Sequence, residues 1–200
     1  MTTEPADGRV TNVLMCGVGG QGVILASDIL AEAAMLAGHD VKKSEVHGMS
    51  QRGGSVVTHV RFGRTVHSPL IMKGEADILV AFELVEALRY LDHLSPEAVA
   101  IADEVKIVPT TVSSGPFKYP ADPAALLKER VPTTLIDCTK VAKSLGSARM
   151  ANTVLLGALS KKVDIPESVW REAISQKVPK GTVEANMRAF DEGRRRAGGP

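Results

Sequence analysis

Two glycine-hinged polar turns in the first quarter of the chain carry the residue types that bind anions. The first, Gly17-Val18-Gly19-Gly20-Gln21-Gly22, stands directly behind the apolar run Asn12-Val13-Leu14-Met15-Cys16 and before a long apolar helix pattern. In the order strand, glycines, helix, backbone N–H groups can close on a phosphate at a helix N-terminus. The second runs from Glu45 through Val46, His47, Gly48, Met49, Ser50, Gln51 and Arg52 to Gly53 and Gly54. It gathers an imidazole, a hydroxyl, an amide and a guanidinium. Arg52 offers a planar fork for phosphate or carboxylate, and the glycines leave backbone donors accessible. His47 has no Cys or second His at ligand spacing, so no metal site is expected. His59, His67 and Ser68 add polar atoms further on, but spacing alone establishes no triad, because triads are set by geometry. No residue is expected to act as a covalent or proton-transferring catalyst.

In a dinucleotide fingerprint, Gly17 would permit the tight turn, Gly19 the approach of the pyrophosphate, and Gly22 the packing of helix on strand. An acidic residue about twenty positions on should then hold a ribose hydroxyl. Asp40 precedes the second strand and Glu45 ends it; Glu45 is the better placed. Yet Glu45 runs straight into the second polar block, and Lys42 and Lys43 interrupt the strand. The residues leave three readings open: a self-sufficient NAD-dependent dehydrogenase, a non-catalytic nucleotide-sensing or scaffold module, and a tight turn with no ligand.

The elements that must hold these turns alternate between strand and helix. Residues 12–17 are apolar throughout, as in a strand covered on both faces. From Gln21 to Leu36 apolar residues recur at helical spacing, and Gly38 supplies a stop. Strands are expected at Val41–Glu45, Ser55–Phe62, Ile78–Phe82, Ala98–Ala102, Val105–Val108 and Thr133–Cys138. Gly63-Arg64 should turn the Ser55 strand into Thr65–Ser68 as a hairpin, and Ser95-Pro96-Glu97 should be a turn. Helices are expected over Glu83–Leu91, over Asp122–Arg130 with proline in its first turn, and then over Asn152–Val163, Pro166–Lys177 and Val183–Arg196. Asn152 is read as the cap of its helix. Ser113–Pro120 reads as a loop. The pattern is a single α/β Rossmann-like three-layer domain over 10–193, with a mixed sheet, an inserted hairpin and a helical C-terminal third. Residues 1–9 and 194–200 read as flexible tails.

Lys plus Arg is 24 against 23 Asp plus Glu, a formal net charge of +1. That balance gives no electrostatic case for a nucleic-acid partner. The run Arg194-Arg195-Arg196 suits a helix C-terminus instead. Two distant cysteines, Cys16 and Cys138, make a disulfide framework improbable and cannot hold a four-cysteine cluster. The polar N-terminal residues lack the apolar core of a signal peptide, and no run reaches the roughly 18 residues of a membrane span. A cytoplasmic protein without a membrane partner is expected.

Five segments in order resemble one family: the first glycine turn; Glu45–Gly54; Ala76–Glu83; Asn152–Ala158; and Glu184–Gly193. They are similar to the gamma domain of the 2-oxoacid:ferredoxin oxidoreductases, and the likeness spans Asn12 to Gly193. A free-standing chain of this size most resembles the small, beta subunit of the indolepyruvate branch. The resemblance implies oxidative decarboxylation of an aryl 2-oxoacid to its acyl-CoA, with electrons passing to ferredoxin. Gamma subunits of pyruvate, 2-oxoglutarate or branched-chain enzymes are the alternatives within the family. It further implies an alpha subunit that carries thiamine diphosphate and 4Fe-4S clusters, no cofactor bound by this chain alone, and coenzyme A as co-substrate. Gly17, Gly19, Gly20, Gln21 and Gly22 match the first family motif, and Ser50, Gln51, Arg52, Gly53 and Gly54 the second. Their implied role is contact with coenzyme A or with the neighbouring domains.

Overall fold

In the computed structural model, described residues are 9–48, 53–108, 112, 116 and 118–198. Ser50, Gln51 and Arg52, together with residues 113–115 and 117 of the Ser113–Pro120 loop, lie outside them. β1 (Thr11–Val18) is followed by α1 (Val23–Leu36), β2 (Asp40–His47), β3 (Ser55–Gly63) and β4 (Ala76–Ala81). Then come α2 (Leu84–Arg89), β5 (Leu94–Asp103), α3 (Pro123–Arg130), β6 (Thr133–Ile136) and α4 (Cys138–Ser144). α5 (Ala151–Leu159), α6 (Glu167–Lys177) and α7 (Val183–Ala197) close the chain. The strands form one six-stranded sheet in the order β2-β3-β1-β4-β5-β6. β3 is antiparallel to both β2 and β1, whereas β1, β4, β5 and β6 run parallel.

β1 is apolar without alternation because both its faces are covered. Val13 and Met15 face a core built with α1, α4, α5, α6 and α7, and Leu14 and Cys16 face one built with α2 and α3. The result is three layers with a mixed sheet. Cys16 and Cys138 are both buried, one in each core, on opposite sides of the sheet. Among the described residues no helix is long and apolar enough to cross a membrane.

Several local expectations are corrected. Thr65–Ser68 is not a strand, and β3 finds its antiparallel partners in β1 and β2 instead. Arg61 donates to the carbonyls of Ser68 and Leu70, and Asp40 accepts the Val66 N–H, so side chains draw this segment across the sheet as a loop. Ser95-Pro96-Glu97 lies inside β5, admitted by a register irregularity opposite Ala76 and Ile78. Proline is tolerated where the ladder is interrupted. Residues 105–108 are not a strand; the Glu83 carboxylate accepts the Ile107 N–H and takes this segment away from the sheet. β6 ends at Ile136 because Asp137 caps α4, accepting from the Lys140 N–H. Asn152 is not a cap, since it lies within α5.

The C-terminal third is fixed by a close helix crossing. A Cβ on Gly157 of α5 would lie 2.1 Å from the Phe190 carbonyl oxygen, and one on Gly193 of α7 would lie 1.9 Å from that of Val154. Backbones this close admit no side chain, and Trp170 and Phe190 are buried completely beside them. Gly193→Ala should therefore destabilise the chain by roughly 3 kcal/mol, in the range of overpacked cores. Gly181→Ala, where a Cβ meets nothing within 4 Å, should change stability by less than about 0.5 kcal/mol. Urea unfolding midpoints of the two variants check the contrast.

Candidate functional site

The chain leaves β1 for α1 on one face of the sheet and leaves β4 for α2 on the other. A crevice therefore opens beyond the C-terminal ends of these neighbouring parallel strands, the position where open α/β sheets gather ligands. Here the crevice is filled by the Gln21 side chain. Its Oε1 accepts the Val18 N–H at 2.7 Å, and its Nε2 donates to the Phe82 carbonyl at 2.5 Å. Gly17 makes room for this bolt: a Cβ there would lie 2.7 Å from Phe82 Cβ and 2.9 Å from Gln21 Oε1.

The two glycine blocks meet at this edge. The Gly19 N–H donates to the Gly54 carbonyl at 2.8 Å, and the Gly53 N–H donates back to the Gly19 carbonyl at 3.3 Å. The β1–β3 ladder thus continues into the turns. Gly20, Gly22 and Gly53 have φ of 102°, 79° and 78°, a left-handed backbone that favours glycine. The structure therefore brings Gly17, Gly19, Gly20, Gln21, Gly22, Gly53 and Gly54 together at one edge. Glu45 is elsewhere. β3 separates β2 from β1, and the Glu45 carboxylate lies 3.4 Å from Lys43 Nζ. It does not stand on the strand beside β1, where a dinucleotide fold puts its ribose-binding acid.

With the crevice bolted, open space lies beside it. A cavity of about 430 Å³ is lined by Gly20, Gln21 and Gly22 together with Asp103, Thr139, Arg149 and Asn152. Gly22 is the N-cap of α1, so the first-turn amides of that helix lack intrahelical partners. Arg149 is exposed and makes no ion pair among the described residues. An unpaired guanidinium near a helix N-terminus suits an anion. Asn152 packs beneath the turn: a Cβ on Gly22 would meet its Nδ2 at 2.7 Å, and that amide lies 3.5 Å from the Gly22 carbonyl. Val105 and Ile107 form a further wall. Glu83, itself buried, holds that wall by accepting from the Ile107 N–H at 3.2 Å and from the Tyr119 hydroxyl at 2.5 Å. Burial and then this bond to Glu83 push the Tyr119 hydroxyl well above its ordinary range.

Sequence reasoning missed Asp103, Thr139 and Arg149. Their only signal was position: Asp103 ends a strand, and the other two follow the next one. Asp103 is buried; its carboxylate accepts the Cys138 N–H at 3.1 Å and lies 3.5 Å from Thr139 Oγ1. Desolvation raises its pKa from 3.8 to about 6, against the opposing pull of these hydrogen bonds. The folded chain thus keeps this proton at a pH where the unfolded chain has released it. The group favours folding below about pH 4, and that contribution is lost as pH rises through about 6. Relative to Asp103→Asn, the wild-type chain should lose on the order of 2 kcal/mol of stability between pH 4 and pH 7. Unfolding midpoints of both proteins across that range measure it.

Comparison with known proteins agrees with this architecture. The family model described as pyruvate ferredoxin/flavodoxin oxidoreductase matches residues 12–196. The chain is 39% identical over 188 residues to the indolepyruvate oxidoreductase subunit IorB of Thermococcus kodakarensis, covering 91% of this chain and 93% of that one. Its fold is similar to the crystal structure of a keto/oxoacid ferredoxin oxidoreductase gamma subunit from Geobacter sulfurreducens, with a TM-score of 0.72, 27% identity and coverage of 95% and 99%. It is also similar to part of the 2-oxoglutarate:ferredoxin oxidoreductase from Magnetococcus marinus, a structure with 2-oxoglutarate, coenzyme A and succinyl-CoA bound. There the TM-score is 0.75 at 25% identity, covering 97% of this chain and 32% of that one. This chain belongs to the pyruvate ferredoxin/flavodoxin oxidoreductase family.

Proposed function

We propose that this chain is a subunit of an indolepyruvate:ferredoxin oxidoreductase and contributes the coenzyme A side of its active site. The observation that carries the reading is near full-length identity to IorB, 39% over 91% of the chain. In the reaction, the bond between the carbonyl carbon and the carboxylate of an aryl 2-oxoacid breaks and CO₂ leaves. Two electrons pass to ferredoxin, and the acyl carbon bonds to the coenzyme A sulfur, whose thiol proton is released. Thiamine diphosphate and iron–sulfur clusters, carried by an alpha subunit, supply the carbanion and electron-transfer chemistry when bound. The complex works in the cytoplasm.

What this chain supplies is position and charge. The first-turn amides of α1, the open backbone at Gly20 and the guanidinium of Arg149 form a donor set for a phosphate-bearing co-substrate. Arg52, with Ser50 and Gln51, joins this set from the adjoining glycine block or contacts the alpha subunit. Gly19, Gln21, Gly53 and Gly54 shape the turn from behind, with Gly17 giving the bolt its room.

Reconstitution with the alpha subunit tests the assignment. Arg149→Ala should raise the KM for coenzyme A by roughly tenfold, the loss of one charge-assisted contact, and leave the KM for indolepyruvate unchanged. Arg52→Ala should act in the same direction. Unchanged coenzyme A kinetics in an intact complex would contradict the role of either arginine. Oxidation of a 2-oxoacid by the purified chain alone would contradict the division of labour.

A further inference from the structure

We propose that the outer edge of β2 pairs with β2 of a second copy of this chain, antiparallel, about a two-fold axis through Ser44 perpendicular to the sheet. β2 ends the strand order, and among the described residues only β3 hydrogen-bonds to it within the sheet. Along its eight residues, alternate ones turn their backbone donors and acceptors to this outer edge, as on any edge strand. A two-fold axis perpendicular to the sheet keeps each face on its own side, so residues placed opposite one another must share a face. Centred on Ser44, this pairing sets Lys43 of each copy against Glu45 of the other.

The charges select this register over its neighbours. Centring on Lys42 or Lys43 would put that lysine against its own copy, and centring on Glu45 would put glutamate against glutamate. Like charges directly opposite are destabilising, and opposite charges are stabilising. Lysines on an edge strand commonly prevent indiscriminate pairing. Here the charges disfavour the adjacent registers, centred on Lys42, Lys43 or Glu45.

The surroundings fit the same partner. Lys43 pairs with Asp28 of α1 and lies 3.4 Å from Glu45, so the cross-copy contacts extend an existing ion network. Ile24, Asp28 and Met35 share one stripe of α1 by their helical spacing. Because Lys43 reaches Asp28 from β2, that stripe borders the open edge. Ile24 and Met35 are 38% and 52% exposed, and the second copy would bring its own α1 alongside them. On the other face of the sheet, Val46 is 57% exposed. The Lys42 stem of the second copy, placed opposite, would cover it. A ladder this short makes a small interface, weak in the free chain and reinforced when each copy is held in a larger assembly.

The test is charge reversal followed by mixing. By sedimentation of the full chain, Glu45→Lys and Lys43→Glu should each weaken self-association by roughly tenfold, because each sets like charges opposite. Mixed together, the two variants should recover it, since every cross pair is then complementary. Should Lys43→Glu fail to fold for want of its Asp28 contact, Glu45→Lys, which keeps that contact, still reports. Ser44→Cys in the full chain should form a disulfide-linked dimer under mild oxidation. Directly opposite strand residues lie about 4.5–5.5 Å apart, within disulfide range, and both native cysteines are buried. Glu45→Lys associating like wild type, a mixture of folded variants that does not recover, or Ser44→Cys linking only to a different subunit of the assembled complex would each overturn the proposal.

Discussion

The amide of Gln21 closes the gap between the ends of β1 and β4, and the rest of the site is arranged around that closure. At a strand-order switch the backbone groups at the ends of both strands lose their ladder partners. An acceptor is needed for the Val18 N–H and a donor for the Phe82 carbonyl, and one primary amide supplies both. A carboxylate could serve only the first, and an ammonium only the second. Filling the crevice in this way moves the ligand space sideways, over Asp103, Thr139, Arg149 and Asn152. The fold keeps the edge that open α/β sheets use for ligands but offers a different part of it.

A series of close approaches links that edge to the far end of the chain. Gly157 and Gly193 let α5 and α7 touch backbone to backbone, which fixes the height of α5. α5 carries Asn152 beneath Gly22, and Gly22 begins α1. On the other side, Gly19 is joined to Gly53 and Gly54 by reciprocal backbone bonds, so the second polar block is tied to the first. The cavity thus draws residues from well-separated parts of the sequence, and its glycine turn is held by backbone bonds to Gly53 and Gly54 and by the side chains of Gln21 and Asn152. Such preorganisation suits a surface that must accept a co-substrate without first rearranging.

Much of this was legible in the sequence because it rests on local chemistry. The apolar run Asn12–Cys16, the glycines behind it and the helical spacing after it define β1, the turn and α1 wherever they fold. Pairing was less legible. Nothing in Thr65–Ser68 announces that Arg61 and Asp40 capture its backbone, so an alternating polar segment reads as a strand. The two glycine blocks share an edge because β2 and β1 run in the same direction on either side of β3; the occupation of the crevice by Gln21 was not legible, because an amide has no distinctive spacing. Asp103, Thr139 and Arg149 were invisible for a related reason. Each is an ordinary residue at the end of an ordinary element, and only the order of strands in the sheet brings them together.

In the proposed function, coenzyme A is received in the cavity beside the bolt. Amide hydrogen exchange on the assembled enzyme, with and without coenzyme A, reads this directly. Exchange should slow at the first-turn amides of α1 and across residues 148–152 when coenzyme A is present. Protection confined to the alpha subunit, with these amides unchanged at saturating coenzyme A, would contradict it.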